Sequence, residues 1–185
     1  AYTNCSKDIF LVKKESKTTV SGFSTEGGNL GCLTNVTEKN IILVCEPGII
    51  RILDTNTVPF VQLRNINRGV AKYPFGMHVT LNVSESGCSE PMHIVLTEWK
   101  SKFQMEVLDF KTGEVVCTPG NTQGGKKLCA CDVTDDGEFL YLADGSNKRI
   151  VVMTKQGWYI KTLKLPRNFD IHVVTQIQYI AECSS

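Results

Sequence analysis

The sequence lacks the features that mark membrane proteins and the common classes of enzyme. Its 185 residues contain no run of about eighteen apolar residues, so we expect no membrane-spanning segment. It has no HxxxH pair, no CxxC, no phosphate-binding glycine loop and no Gly-x-Ser-x-Gly motif. His78, His93 and His172 lie near predicted strand starts, where a histidine is most often a hydrogen-bonded structural residue. We therefore predict a protein that is not an enzyme, with no metal and no small-molecule cofactor.

Helical periodicity is also missing, because the apolar residues alternate or cluster in short β-branched and aromatic runs. Residues 128–165 show the pattern best. Their apolar runs are separated by Asp, Asn and Gly, which favour turns. The predicted strands are Leu128–Asp132, Phe139–Ala143, Ile150–Met153 and Trp158–Leu163. Four short strands joined by turns form an up-and-down sheet, the unit of a β-propeller blade.

The same pattern recurs along the chain, as expected of a repeat protein. In each copy a hydrophobic strand ends in a small residue followed by an acid. The four endings are Cys45-Glu46, Thr97-Glu98, Ala143-Asp144 and Ala181-Glu182. This equivalence predicts a slot for a small side chain in every copy.

The two chain ends are complementary. Residues 6–14 and 17–23 match third and fourth strands, whereas residues 169–182 match first and second strands. We therefore predict an all-β, four-bladed propeller in a single domain, closed by pairing N-terminal strands three and four with C-terminal strands one and two. Such closure removes exposed strand edges. The predicted blades are residues 169–185 plus 1–26, 27–66, 75–119 and 126–166. The alternative is an arc cut from a larger ring.

The chain contains 8 cysteines. Cys32 and Cys129 are equivalent in the repeat, and Cys45 occupies the small-residue slot. Equivalent positions on neighbouring sheets are poorly placed for a bond that needs Cα atoms within roughly 7 Å. Most of the thiols are therefore predicted to be reduced. The exception is Cys5 and Cys183, which flank the predicted closure and form a candidate disulfide.

Charge is distributed unevenly between the predicted loops. Those from strand two to strand three, and from strand four to the next blade, lie on one face of a propeller and carry most of the cations. The predicted charge contacts are Arg68, Lys100, Lys102, Lys126, Lys127, Lys148 and Arg149, with Tyr73 and Trp99 as stacking or anchoring residues. This basic face favours a protein partner. Single-stranded RNA is the alternative, since cations bind phosphates and aromatic rings stack on bases.

Residues 128–165 resemble an NHL repeat, the propeller blade at the C-terminus of many tripartite-motif (TRIM) ubiquitin ligases. The matching features are Asp135-Asp136-Gly137, Tyr141-Leu142-Ala143-Asp144, Asn147-Lys148-Arg149-Ile150 and Gln156-Gly157. The resemblance implies a recognition module that binds protein or RNA through the basic loop face, with no catalytic residues. Such propellers usually have six blades, so the predicted count of four departs from the family's pattern.

The expected location is cytoplasmic. Glycosylation sequons begin at Asn4, Asn35 and Asn82, and the last two occupy the repeat's turn, where Asn favours the turn itself. They leave one further alternative, a secreted, disulfide-closed propeller that binds extracellular ligands.

Overall fold

The fold is known from a computed structural model, which describes residues 2–3, 8–12, 19–24, 31–67, 74–85, 87–98, 104–118, 130–144 and 147–165. Within these ranges the regular structure is β-strand, apart from a 3-10 turn at Thr37–Lys39. The prediction of an all-β protein is therefore confirmed. No helix in the described ranges has the length and apolar character needed to cross a membrane.

The strands form antiparallel sheets, each built from consecutive segments of the chain. Sheet A contains β1 (Tyr2–Thr3), β2 (Asp8–Val12) and β3 (Thr19–Ser24). Sheet B contains β4 (Cys32–Val36), β5 (Ile41–Glu46), β6 (Ile49–Asp54) and β7 (Val61–Asn67). Sheet C contains β8 (Pro74–Val83), β9 (Ser89–Glu98), β10 (Gln104–Asp109) and β11 (Val115–Cys117). Sheet D contains β12 (Ala130–Asp135), β13 (Phe139–Asp144), β14 (Arg149–Thr154) and β15 (Tyr159–Lys164). Sheets B, C and D each have four strands in up-and-down order, as predicted.

The chain divides into two compact units, residues 1–74 and 75–185. In the first unit, an aliphatic and aromatic cluster joins sheet A to sheet B. Ile9 of β2 is fully buried, and it belongs to the same cluster as Val44, Leu53 and Phe60 of the sheet B segment. The same unit also buries one carboxylate, since Glu46 of β5 is 2% exposed.

In the second unit, a larger cluster joins sheet C to sheet D. Val95 and Val107 belong to sheet C, and Leu140, Leu142 and Val151 to sheet D; all are fully buried. These residues come from the inner strands of the two sheets. The sequence of an inner strand is a continuous apolar run, without strict alternation of apolar and polar residues, because both of its faces are covered. Burial of such side chains stabilises a sheet pair by about 1.5–3 kcal/mol per residue.

The predicted slot for a small side chain is present at each described position. Cys45, Thr97 and Ala143 are all 0% exposed. The hydroxyl of Thr97 accepts a hydrogen bond from the Gly76 N–H (2.9 Å), which satisfies this polar group inside the core. The fourth position, Ala181, lies outside the described residues.

The predicted ring closure is not found. In sheet A, β1 lies on the side of β2 opposite β3, with Tyr2 facing Phe10 and Thr3 facing Ile9. The prediction had placed a C-terminal strand on that side. A local hairpin takes its place there because it closes a much shorter loop, at a smaller cost in chain entropy. Among the described strands, no sheet combines the two chain ends. Residues 166–185 lie outside the described ranges, and the single domain stays a prediction.

Candidate functional site

Two of the predicted binding residues, Lys148 and Arg149, fall within the described ranges. The remaining ones lie outside: Arg68, Tyr73, Trp99, Lys100, Lys102, Lys126 and Lys127. The cysteines of the candidate disulfide, Cys5 and Cys183, also lie outside. Their roles stay predictions.

Lys148 is exposed, in the loop that leads into β14. Its backbone is left-handed, with φ of 50°, a conformation that is uncommon for a residue with a side chain. The following residue, Arg149, is the register partner of Lys164 on β15. Lys148 and Lys164 thus lie at the same end of sheet D.

The structure places Arg149 inside the sheet rather than on the predicted basic face. The residue is 8% exposed, and its Nε lies 2.6 Å from Oδ2 of Asp144, which is fully buried. The Asn147 amide also donates to both carboxylate oxygens of Asp144, at 2.8 and 3.0 Å. The sequence pattern did not distinguish this buried arginine from the exposed lysine beside it.

The outer strand of sheet D and the residue before it, Trp158, expose large apolar side chains that are not among the predicted binding residues. Trp158 is 69% exposed, and Ile160 and Leu163 are each 39% exposed. Lys161 and Lys164, on the same strand, are also exposed. We call these five residues the β15 edge. Exposed tryptophan and aliphatic side chains grouped on one element are typical of protein interaction surfaces.

The turn before β15 fixes the start of this edge. Gly157 has φ of 88°, which suits a residue without a side chain. The Thr154 N–H donates to the Trp158 carbonyl at 2.9 Å, and the Trp158 N–H donates to the Thr154 hydroxyl at 3.1 Å. The backbone of Trp158 is therefore held on both sides while its indole remains in solvent.

The backbone of β15 is paired on one side. It pairs with β14 through contacts such as Ile150 with Leu163 and Val151 with Thr162. In the described part of the chain no strand lies on its other side. An edge strand presents N–H and C=O groups that a further extended segment pairs with, and edge lysines limit self-association.

The electrostatic character of this edge is positive. Residues 147–165 contain lysines and one arginine but no Asp or Glu. Lys148, Lys161 and Lys164 are exposed within this stretch. A cluster of one sign of charge attracts segments of the opposite sign and orients their approach.

A second group of polar residues links sheet C to sheet D. His78 Nε2 lies 2.7 Å from Oδ2 of Asp135, and Lys155 Nζ donates to the Leu81 carbonyl at 2.8 Å. His78 is thus hydrogen-bonded, as the sequence predicted for a histidine near a strand start. The two contacts tie β8 to the ends of strands in sheet D.

This group contains perturbed titratable side chains. Burial raises the pKa of Asp135, but the hydrogen bond and charge of His78, with the Gly137 N–H, lower it more, so the pKa lies below its usual value. Burial lowers the pKa of His93, and the nearby Asp109 carboxylate offsets only part of that effect. The His93 Nδ1 atom is buried without a hydrogen-bond partner.

His78 and Asp135 pair with each other, and Lys155 pairs with a backbone carbonyl, across the two sheets. Across the described ranges, no group of three or more His, Cys, Asp or Glu side chains is placed to hold a metal ion.

Comparison with known proteins gives the fold alone. No protein-family model matches the chain, and no curated protein matches it. The chain is similar in structure to a protein of unknown function from Bacteroides caccae, with a TM-score of 0.51 and 11% sequence identity. The similarity covers 86% of this chain and 55% of the Bacteroides chain. This chain thus spans about half the length of that Bacteroides protein.

Proposed function

We propose that this chain is a non-enzymatic recognition module that binds an extended, acidic and apolar segment of a partner protein along the β15 edge. The observation that carries the proposal is Trp158, which is 69% exposed at the start of an edge strand. Tryptophan at such a position is the residue type most often found at the energetic centre of a protein interface.

In the proposed mode, the partner segment adds a strand to sheet D. Its backbone pairs with the open side of β15, which supplies most of the affinity. Its apolar side chains contact Trp158, Ile160 and Leu163. Because alternate side chains of a strand point to opposite faces, Lys161 and Leu163 share one face of β15 and Lys164 lies on the other. Acidic side chains of the partner therefore meet a lysine on each face.

The side chains favour a protein over single-stranded RNA. Ile160 and Leu163 are aliphatic and offer no flat ring on which a base stacks. Trp158 is the aromatic residue among the large apolar side chains exposed in the described ranges. RNA recognition typically combines several stacking rings with phosphate contacts, whereas an edge strand with aliphatic side chains matches strand addition.

The proposal also assigns the sheets to successive blades of an NHL-like propeller. It is supported by the up-and-down order of sheets B, C and D and by the resemblance of residues 128–165 to an NHL repeat. In such a module the fourth strand of each blade lies outermost, which suits β15 to binding.

The test begins with a display library of random ten-residue peptides selected on the intact chain. We expect the recovered peptides to combine apolar residues with Asp or Glu. A synthetic peptide of the consensus sequence, labelled for fluorescence anisotropy, should bind. The same peptide N-methylated at alternate residues should bind at least about tenfold more weakly, because it cannot donate the backbone hydrogen bonds of an added strand. Equal binding by the N-methylated peptide would contradict strand addition.

Variants then locate the site. Trp158→Ala and Lys161→Glu should each weaken binding of the consensus peptide by about tenfold or more. Leu63→Ala is the matched control, because Leu63 is 56% exposed on β7, the outer strand of sheet B. A labelled single-stranded RNA of mixed sequence is measured in parallel. Tight RNA binding that falls steeply with salt, with no peptide recovered, would overturn the proposal in favour of RNA.

A further inference from the structure

Sheet B brings two cysteines directly opposite each other. Cys32, at the start of β4, is the register partner of Cys45 on β5. The pairing continues without a register shift through Val36 and Ile41 at the other end of the strands. Directly opposed residues of an antiparallel pair project to the same face of the sheet. The two thiols therefore share one face.

The register also sets their separation. Directly opposed residues in antiparallel strands have Cα atoms about 4.5–5.5 Å apart, within the 4.4–6.8 Å over which disulfides form. Their Cβ atoms lie about 4.5–5.5 Å apart, whereas a disulfide needs about 3.5–4.5 Å. If the two Cβ atoms approach each other by about 1 Å, the sulfur atoms come within bonding distance.

The two thiols differ in access. Cys45 is 0% exposed, and its Sγ donates to the Glu46 carbonyl at 3.7 Å. Cys32 is half-buried, so solvent reaches it. Neither cysteine takes part in a disulfide in the structure. One accessible thiol beside one protected thiol is the arrangement in which a first cysteine reacts and a second resolves the product.

We propose that Cys32 and Cys45 form a redox-responsive cross-strand disulfide. The oxidant is a low-molecular-weight disulfide of the glutathione class. The Cys32 thiolate attacks one of its sulfur atoms, forming a mixed disulfide and releasing one small thiol. The Cys45 thiolate then attacks Cys32 Sγ and releases the second small thiol. The protein loses two hydrogen atoms, and the small disulfide is reduced to two thiols.

Oxidation would fasten the first strand of sheet B to the second. Cys32 lies at the end of β4 where the chain enters the sheet, and the bond would prevent that end from separating from β5. The backbone contact from the Gly31 N–H to the Cys45 carbonyl, at 2.9 Å, would be held closed. The expected effect is a higher Tm for the oxidised form and slower hydrogen exchange in β4.

Peptide mapping of the intact chain tests the proposal. The chain is equilibrated with oxidised glutathione, alkylated and digested with trypsin, which cleaves after Lys39 and so separates the two cysteines. Peptide 18–39 contains Cys32, and peptide 40–51 contains Cys45. We expect the two peptides to be recovered joined by a disulfide, and apart after reduction. Recovery of either cysteine as a stable mixed disulfide, as a free thiol, or paired elsewhere would overturn the proposal.

Serine variants provide the controls. Cys32→Ser and Cys45→Ser should each abolish the joined peptides and the Tm increase on oxidation. Cys117→Ser should leave both unchanged, because the register partner of Cys117 is Val107. The mapping of the unmodified chain decides the question even where a variant fails to fold. A Tm increase that survives in Cys32→Ser would count against this pair as its source.

Discussion

Sheets B and D have the same strand order but build their acid–arginine pairs differently. In sheet B, Glu46 faces Ile49 in the register, so its partner Arg51 is a diagonal neighbour. In sheet D, Asp144 directly faces its partner Arg149. Diagonal Cβ atoms lie about 7–8 Å apart and opposed ones about 4.5–5.5 Å. The longer glutamate therefore spans the diagonal, and the shorter aspartate suffices across the strand pair.

The connection between the strands causes this difference. In sheet B, β5 and β6 are joined by the two-residue turn Pro47-Gly48, in which Gly48 has φ of 83°. In sheet D, residues 145–148 make the connection longer. The acid and the arginine are equally spaced along the chain in both sheets, but turn length shifts the register by two residues. Sequence spacing alone does not determine which residues meet.

Removal of each acid should produce the largest difference between the two sheets. Asp144→Ala removes the fully buried carboxylate that both Arg149 and Asn147 contact, so we expect a loss of about 3–5 kcal/mol in the free energy of unfolding. Glu46→Ala should cost about 1–2 kcal/mol. The Arg51 side chain is 18% exposed and keeps its 2.7 Å hydrogen bond to Gln62. Urea unfolding measures both values, and equal losses would contradict the comparison.

Exchanging the lengths of the acids tests the geometric explanation itself. Glu46→Asp should fail to reach Arg51 and cost about 1 kcal/mol, the net value of one hydrogen bond. Asp144→Glu adds a methylene group to a buried site and should cost about 1–3 kcal/mol through overpacking. Urea unfolding again gives the values. If either exchange is neutral, the register does not select the length of the acid.

The two units should also differ in their response to pH. The pKa of His93 in the folded protein is below the ordinary histidine value of 6.5. As the pH falls through 6.5, His93 therefore takes up a proton in the unfolded chain before it does so in the folded protein. The contribution of His93 to the free energy of unfolding is therefore fully present above pH 6.5, and it is lost as the pH falls toward the pKa of His93 in the folded protein. The cluster around Ile9 in the first unit is apolar. We expect lowering the pH to 5 to reduce the protection of amides from hydrogen exchange, measured relative to the intrinsic rate at each pH, more in sheets C and D than in sheet B.

His93→Phe is the matched variant for this prediction, because it keeps a buried ring and removes the titration. It should flatten the dependence of unfolding free energy on pH between 6.5 and 5. An unchanged slope would show that another group governs it. Asp135 acts at lower pH, since its pKa is lowered from 3.8. Its contribution is lost only as the pH falls below that value.

The smallest expected effect on stability is at the outer strands. Trp158→Ala and Leu63→Ala remove side chains that are 69% and 56% exposed, so each should change the free energy of unfolding by less than about 0.5 kcal/mol. Only Trp158→Ala should affect peptide binding. A thermal unfolding curve provides the check, and a large loss for Trp158→Ala would mean that the indole packs within the fold.

The strands of sheet D could be predicted closely from the sequence because their turns are chemically distinct. The sequence predicted strands at Phe139–Ala143 and Ile150–Met153, and the structure has Phe139–Asp144 and Arg149–Thr154. Asp136 explains the accuracy at the first turn. Its carboxylate accepts hydrogen bonds from the Glu138 and Phe139 N–H groups, at 2.9 and 2.7 Å.

Other features could not be predicted because they depend on register and layer position. Trp158 and Ile160 belong to an apolar run like those of the inner strands, and only the place of β15 at the end of the sheet leaves them exposed. Cys32 and Cys45 appeared as two separate repeat positions until the register placed them opposite each other. Pairing of β1 with β2 gave no recognisable sequence signal, since β1 consists of Tyr2–Thr3.

The central claim is that the open side of β15 binds an extended acidic and apolar segment. Residue-resolved hydrogen exchange with and without the selected peptide tests it most directly, because strand addition converts exposed edge amides into hydrogen-bonded ones. We predict slower exchange of alternate amides in Tyr159–Lys164 and no change in Val61–Asn67. Protection confined to other strands, with β15 unchanged in the bound state, would contradict the account.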